Sequence, residues 1–462
     1  MSAALKPYPE YRDSGVDWLG QVPSHWIVDR AKAQFREVDE RSKAGHEELL
    51  SVSHKTGVTP RRFKTITMFQ AESYAGYKLA RSGDLVVNTM WAWMAALGVS
   101  QHDGIVSNAY GVYRPREGAE MDGRYYDRLL RTEMYRAEYV RRSTGITTSR
   151  LRLYPPKLLA MPLIQPPPEE QRRIADFLDA YTAQVHRLIA AKRRTIAALI
   201  ERKQAIIEGL LGAGVGQASQ SVFHPVVGQM PGHWRVARLK DWCHVNVRTL
   251  PESTPKDYAF DYFDISVVGT GVLTGEPQSL TFDAAPSRAR RRLTPNDILI
   301  STVRTYLKAI YFFRGWPREA IASTGFAVLS PKAEVLPELM AYALMAPRFI
   351  DVVISRSVGV AYPAIAETRL SALHLALPTD GAEQQLILDT IKTDTQLVDE
   401  AITKERSQID LILEYRDSLI AAVVTGQLDV RDAAIPVVES DDFADNMATD
   451  DEDMEDALDA VD

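Results

Sequence analysis

The chain is poor in the residues and spacings that metal, redox or nucleotide chemistry leaves in a sequence. Its 462 residues include one cysteine, Cys243. That excludes an intramolecular disulfide and any multi-cysteine metal site, and it fits a reducing compartment, so a cytoplasmic location is expected. No apolar run approaches the ~18 residues that a membrane helix needs. No membrane is therefore expected among the partners, and because Met1 to Gly15 lacks the apolar core of a signal peptide, export is not expected. The nine histidines show no metal-ligand spacing. There is no Gly-x-x-x-x-Gly-Lys-Ser/Thr phosphate loop. The Asn/Asp-Pro-Pro-aromatic string that holds a flipped adenine is missing too. Its nearest relative, Tyr154-Pro155-Pro156-Lys157, lacks the amide or acid. Val268-Gly269-Thr270-Gly271 has glycines but no following helix, and reads as a hairpin turn.

Positive charge is absent from the end of the chain. Glu439 to Asp462 holds 12 acidic residues and no Lys or Arg, which reads as a solvated, disordered extension. Without that stretch the formal charge of −7 becomes +5, a mildly basic body compatible with nucleic acid. The length favours two or more domains.

What the chain does contain is itself, twice. Gly20-Gln21-Val22-Pro23-Ser24-His25-Trp26 returns as Gly228-Gln229-Met230-Pro231-Gly232-His233-Trp234. As repeated equivalents, His25 and His233 are expected to pack and cap rather than catalyse. Gly83–Thr89 matches Asn296–Thr302, and Ile105–Val112 matches Ile321–Val328; each reads as a strand beside a turn. A helical stretch follows in each half, Tyr125–Val140 and Pro337–Ile354, and then a loop, Ser143-Thr144-Gly145-Ile146 or Ser357-Val358-Gly359-Val360. Glu170–Ile207 aligns with Glu383–Ile420 without a gap, with 11 identities.

Proline and glycine are missing from two long stretches, 169–208 and 382–424. Both are rich in helix formers, and about 40 residues at ~1.5 Å each make a rod of roughly 60 Å. A 4-3-4-3 spacing gives the first a heptad seam: Ile174, Leu178, Tyr181, Val185, Leu188, Lys192, Thr195, Leu199, Arg202 and Ile206. The second seam is Ile387, Ile391, Asp394, Val398, Ala401, Glu405, Gln408, Ile412, Tyr415 and Leu419. Net charges of +2 for Glu169–Leu211 and −5 for Ala382–Val424 favour pairing of one helix with the other. The fold class expected is α+β, with two repeated mixed domains separated by two long antiparallel coiled-coil helices. The boundaries are 1–165 and 216–378 for the domains, 166–215 and 379–430 for the helices, and 431–462 for the acidic tail.

The run Pro166-Pro167-Pro168-Glu169-Glu170-Gln171 opening a long helix, the paired Pro-x-His-Trp segments, the Asp84 and Asp297 strands and the Gly145 and Gly359 loops resemble the type I restriction-modification specificity subunit. The resemblance covers residues 8–430. The second helix departs from it, opening on Thr379-Asp380-Gly381-Ala382-Glu383-Gln384, and the acidic tail lies outside the pattern. The resemblance implies two target-recognition domains, each reading half of an asymmetric split site in double-stranded DNA, with the helices setting the unread gap. It implies two modification subunits as partners, methylating adenine with S-adenosylmethionine, and restriction subunits using ATP and magnesium. No cofactor or catalytic centre is implied for the chain itself.

Two basic clusters are candidates for phosphate contact: Arg61, Arg62 and Lys64 in the first half, and Arg288, Arg290, Arg291 and Arg292 in the second. Base readout needs amides, hydroxyls or Arg on exposed loops. Asn88, Thr89, Asn108, Thr148 and Arg150 are candidates in the first half, and Ser301, Thr302, Arg304, Tyr306, Lys308 and Tyr362 in the second. Trp91 and Trp93 read as core. Two other functions compete: a coiled-coil scaffold that does not read DNA, marked by the lack of a basic groove, and a self-contained methyltransferase or nuclease, marked by a bound cofactor or metal.

Overall fold

The computed structural model describes residues 5–63, 73–145, 151–215, 221–225, 227–359 and 362–435. The acidic tail beyond 435, and Lys64, Thr148 and Arg150, lie outside them. The chain forms two compact units, one of Met1–Lys192 with Ser407–Asp462 and one of Arg193–Arg406. These units cut across the linear order of domain, helix, domain, helix, because each takes the start of one long helix and the end of the other.

In the first unit β1 (Phe35–Val38), β2 (Leu85–Val87), β3 (Leu97–Val99) and β4 (Gly111–Pro115) form an antiparallel sheet in the order β1-β4-β2-β3. The run Leu85-Val86-Val87 is buried throughout, so both sheet faces are covered. Alternation assigns the faces: Leu85, Val87, Leu97 and Val99 enter one core, while Val38, Val86 and Val112 enter another beneath two small two-stranded sheets. The larger core takes Tyr125, Tyr126, Tyr135 and Tyr139 from α1 (Gly123–Leu130) and α2 (Glu133–Arg142). The single helical stretch expected at 125–140 is therefore two. The break lies at Arg131-Thr132, where the Thr132 hydroxyl donates to the Leu129 carbonyl at 2.8 Å.

The first long helix, α3 (Pro168–Ala213), leaves this unit for the next. There β5 (Cys243–Val245), β6 (Asp297–Ser301), β7 (Ile310–Phe313) and β8 (Phe326–Pro331) repeat the sheet in the order β5-β8-β6-β7. Ile298 and Ile300 face the helices, and Leu299 faces a second four-stranded sheet containing Ala259–Phe263 and Ala320–Ser323. The helical stretch at 337–354 is again two helices, α4 (Pro337–Met345) and α5 (Pro347–Arg356). Here the cause is written in the sequence, because Pro347 holds Ala346 in extended backbone and cannot continue α4. The chain closes with α6 (Gly381–Val424).

In each unit the two long helices run antiparallel. In the first, Lys192 hydrogen-bonds Gln408, while Leu419 and Val423 share a core with Ile174 and Leu178. In the second, Lys203 pairs with Asp399 at 2.7 Å, and Ile207 shares a core with Ile387 and Ile391. The heptad seam needs correction. Leu188 and Tyr415 are exposed, while Ile189, Thr395, Ile402 and Ile409 are buried. The inward row repeats every 11 residues, as Ile174, Val185, Ile196 and Ile207 and as Ile387, Val398, Ile409 and Ile420. An 11-residue repeat has 3.67 residues per turn, close to the 3.6 of a straight helix, so these residues share one face.

The repeated Pro-x-His-Trp segment joins both helices to their unit. Trp26 donates its Nε1–H to Glu170 at 3.0 Å, His25 Nε2 lies 2.8 Å from the other carboxylate oxygen, and Tyr8 donates its hydroxyl at 2.5 Å. Trp234 and His233 hold Glu383 in the same way at 2.9 Å. The next residue latches the domain: Gln171 accepts from the Asp122 N–H and donates to the Pro166 carbonyl, and Gln384 accepts from the Leu336 N–H and donates to the Pro378 carbonyl. The proline of each segment receives the other helix's end. Gly426, at φ +79°, packs so closely on Pro23 that a Cβ would lie 2.5 Å from it; Gly214, at φ +71°, sits likewise on Pro231.

Cys243 is buried with its Sγ 3.2 Å from the Leu239 carbonyl, and desolvation pushes its thiol up from 9.0 to about 12. A folded-state value above the unfolded one gives stability that is intact below about pH 9 and lost as pH rises toward 12. Alkylation at pH 8 is expected to be slow until denaturant is added. Rapid modification of the native protein would refute this placement.

Candidate nucleic-acid interface

The turns joining β2 to β3 and β6 to β7 share much of their hydrogen bonding. Asn88 N–H donates to the Ala96 carbonyl at 3.0 Å, and Ser301 to Ala309 at 2.8 Å. Each turn contains a 3₁₀ segment, Ala92–Met94 or Thr305–Leu307, closed by a residue in the left-handed region: Ala95 at φ 62° and Lys308 at φ 55°. The Thr89 and Thr302 hydroxyls reach the Ala109 and Gly325 carbonyls at 2.7 and 2.9 Å. A second loop docks beside each turn, with Leu153 N–H on the Thr89 carbonyl and Ile365 N–H on that of Thr302.

A buried aspartate anchors the strand that feeds each turn. Asp84 takes a bidentate contact from Arg114 at 2.9 and 3.0 Å, and Arg114 also hydrogen-bonds Glu40, holding that carboxyl below its ordinary value. Asp297 instead takes Arg248 at 2.6 Å and the Ser330 hydroxyl at 2.7 Å. The frame is thus preserved while its cation moves from a strand, at Arg114, to the segment after β5, at Arg248.

On this shared frame the side chains differ. Trp91, Trp93 and Ala95 occupy the positions of Arg304, Tyr306 and Lys308. Both tryptophans are half-buried rather than core, with Trp93 Nε1–H donating to the Met90 carbonyl at 3.0 Å. In the second unit Arg304, Tyr306, Lys308 and Tyr362 are all exposed and brought together, with the Arg304 guanidinium 5.0 Å over the Tyr362 ring. Among the described residues Arg304 and Lys308 have no ion pair.

Most of the other candidates are engaged within the protein. Asn88 and Ser301 are buried; Asn88 donates to the Tyr110 hydroxyl at 3.2 Å and accepts from Met90 N–H. Thr89 and Thr302 support the turns. Asn108 is exposed and accepts from Arg41 at 3.2 Å. Arg61 and Arg62 follow the Gly57–Pro60 strand, with Arg62 paired to Glu48. Arg290, Arg291 and Arg292 belong to a strand, Ala289–Arg292. Arg288 pairs with Asp264 at 2.9 Å, Arg290 covers the Phe282 ring at 4.7 Å, and Arg291 lies 3.8 Å from Glu367. Arg292 hydrogen-bonds Glu319 and holds that carboxyl below its ordinary value. The Val268–Gly271 stretch is a tight turn, bridged from Val268 to Leu273.

Residues 231–411 match the type I restriction modification DNA specificity domain. That segment, the greater part of the second unit, is similar to the specificity domain of type I restriction-modification systems. The match spans the turn joining β6 to β7, the loop docked beside it and the His233-Trp234-Glu383 clamp. The first unit carries a similar turn and clamp. Among solved structures, the chain is similar to one from a study of complex assembly and conformational transition of the type I R-M system, with a TM-score of 0.56, 16% identity, and 88% of this chain and 99% of that one covered. That likeness shows a shared fold. The HsdS subunit from Thermoanaerobacter tengcongensis is matched at a TM-score of 0.40 and 17% identity over 88% of this chain and 98% of its own. The S subunit from M. genitalium is matched at 0.32 and 12% over 86% and 96%. No curated protein matches the chain.

Among the described residues no helix is long and apolar enough to cross a membrane, and no group of three or more His, Cys, Asp or Glu side chains could hold a metal.

Proposed function

We propose that the chain reads an asymmetric, split sequence in double-stranded DNA, one half-site per unit, and places partner subunits on it. The observation that carries this reading is the pair of turns with one hydrogen-bonded frame and different side chains at matched positions. A preserved frame fits one mode of docking, and Trp91 against Arg304 or Ala95 against Lys308 fits two different base sequences. Two modification subunits, using S-adenosylmethionine, dock on the repeated clamps and helices, where symmetry of surface permits symmetry of docking. Restriction subunits bring ATP and magnesium chemistry. The chain itself supplies specificity and no catalytic step, and it works in the cytoplasm.

The test is binding of the chain with its modification subunits to DNA pools at several salt concentrations. Affinity is expected to depend on sequence at two separated half-sites and to fall steeply with salt, by ~0.9 in log–log slope per phosphate neutralised. Binding indifferent to sequence in that complex would sink the proposal.

A further inference from the structure

Arg304 is the equivalent of Trp91, yet its backbone differs. Trp91 sits at φ −118°, whereas Arg304 is in the left-handed region at φ +49°. A long side chain adopts that conformation only where its surroundings impose it. They do so here from both sides. On one side Val303 bridges to Ala364, Thr305 N–H donates to the Pro363 carbonyl at 3.4 Å, and the Thr305 and Ser357 hydroxyls share a hydrogen bond at 2.8 Å. On the other, the Thr270 hydroxyl donates to the Lys308 carbonyl at 2.6 Å, and Gly271 N–H donates to the Ile310 carbonyl at 2.7 Å. The turn is thus clamped between two loops, and the left-handed step aims Arg304 across the exposed ring of Tyr362.

Resting on the DNA-reading function proposed above, we infer that Arg304, stacked on Tyr362, reads a guanine in the half-site of the second unit, and that Lys308 contacts the adjoining phosphate. The guanidinium fork presents parallel N–H donors that match guanine O6 and N7, and these donors have no carboxylate partner among the described residues. Stacking on the ring fixes the side chain before DNA arrives, so less rotamer freedom is lost on binding. Trp91 offers no such fork, so the other half-site lacks this contact at the matched position. Arg288 and Arg292, by contrast, are already paired with Asp264 and Glu319.

The experiment maps methylated adenines genome-wide in a host carrying the full chain with its native modification subunits. Arg304→Gly removes the fork but suits φ +49°, so thermal stability is expected to hold or rise. One guanine of one half-site should then become degenerate, with discrimination falling about 10-fold or more, while the other half-site and the gap stay unchanged. Lys308→Gln should lower methylation evenly across sequences and reduce the salt slope by about 1. An unchanged motif in Arg304→Gly beside a split wild-type motif overturns this inference and leaves the proposed function standing. Loss of methylation at every sequence would make Arg304 a general contact and overturns it as well. A wild-type complex without a split motif overturns the proposed function itself.

Discussion

Glu170→Ala is expected to loosen the first unit by about 3–5 kcal/mol, the cost of stripping the charged partner from a buried cluster. The substitution leaves the Trp26 indole N–H and the Tyr8 hydroxyl, both nearly fully buried, without their acceptor. Glu383→Ala removes the equivalent carboxylate from a wetter site. Its side chain is 17% exposed, its His233 partner is 51% exposed, and water can replace what is lost. About 1–2 kcal/mol is expected there. Because the two units need not unfold together, the measurement is segment-resolved hydrogen exchange in denaturant rather than one melting curve. Equal losses in both units, or a loss below about 1 kcal/mol in the first, would show that the clamp does not hold the helix start.

Inserting 11 residues after Lys192 in α3 and 11 after Arg406 in α6 is expected to lengthen the unread gap of the recognised DNA while both half-sites persist. The insertion points fall where the compact units divide, so the contacts inside each unit stay intact. Eleven residues add about 16 Å of helix, or roughly 5 base pairs at ~3.4 Å each. They also keep the inward row of Ile174, Val185, Ile196 and Ile207 in step, which a seven-residue insertion matched to a left-handed seam does not. Methylation mapping reads the result directly. A half-site that changes, or a gap that does not grow, would refute the helices as spacers.

The repeat, the long helices and the two sheets were legible in the sequence, because each rests on patterns that survive without tertiary context. An ungapped helical match, a Pro–Gly desert and alternating apolar strands are of this kind. The clamp was half legible. The Pro-x-His-Trp and Glu-Gln repeats were visible, but their pairing across 144 residues of chain was not. The 11-residue row was written in the identities at Ile174, Val185, Ile196 and Ile207, and the shorter heptad spacing obscured it by admitting Leu188 one position early. At the interface, residue type was a poor guide to orientation. Asn88 and Arg304 are both suited to bases, yet one is buried in its own turn and the other is held over a ring. The signal that separates them is the backbone. The 213-residue shift that aligns the helices also aligns the 3₁₀ turns, and it would have paired Trp91 with Arg304 before any fold was known.

The division of the units also orders the birth of the protein on the ribosome. The second unit is one continuous stretch, Arg193–Arg406, and has all its parts once that stretch has emerged. The first unit, although translated first, has a core that includes Leu419, Val423, Val424 and Val430, from the end of the last long helix and just beyond it. The tyrosine-rich core around Tyr125 stays open until the final helix turn arrives, when the Tyr125 hydroxyl can reach the Val424 carbonyl at 2.9 Å. The unit begun first is finished last, and a chain cut short before Leu419 carries an incomplete first core however sound its second unit is.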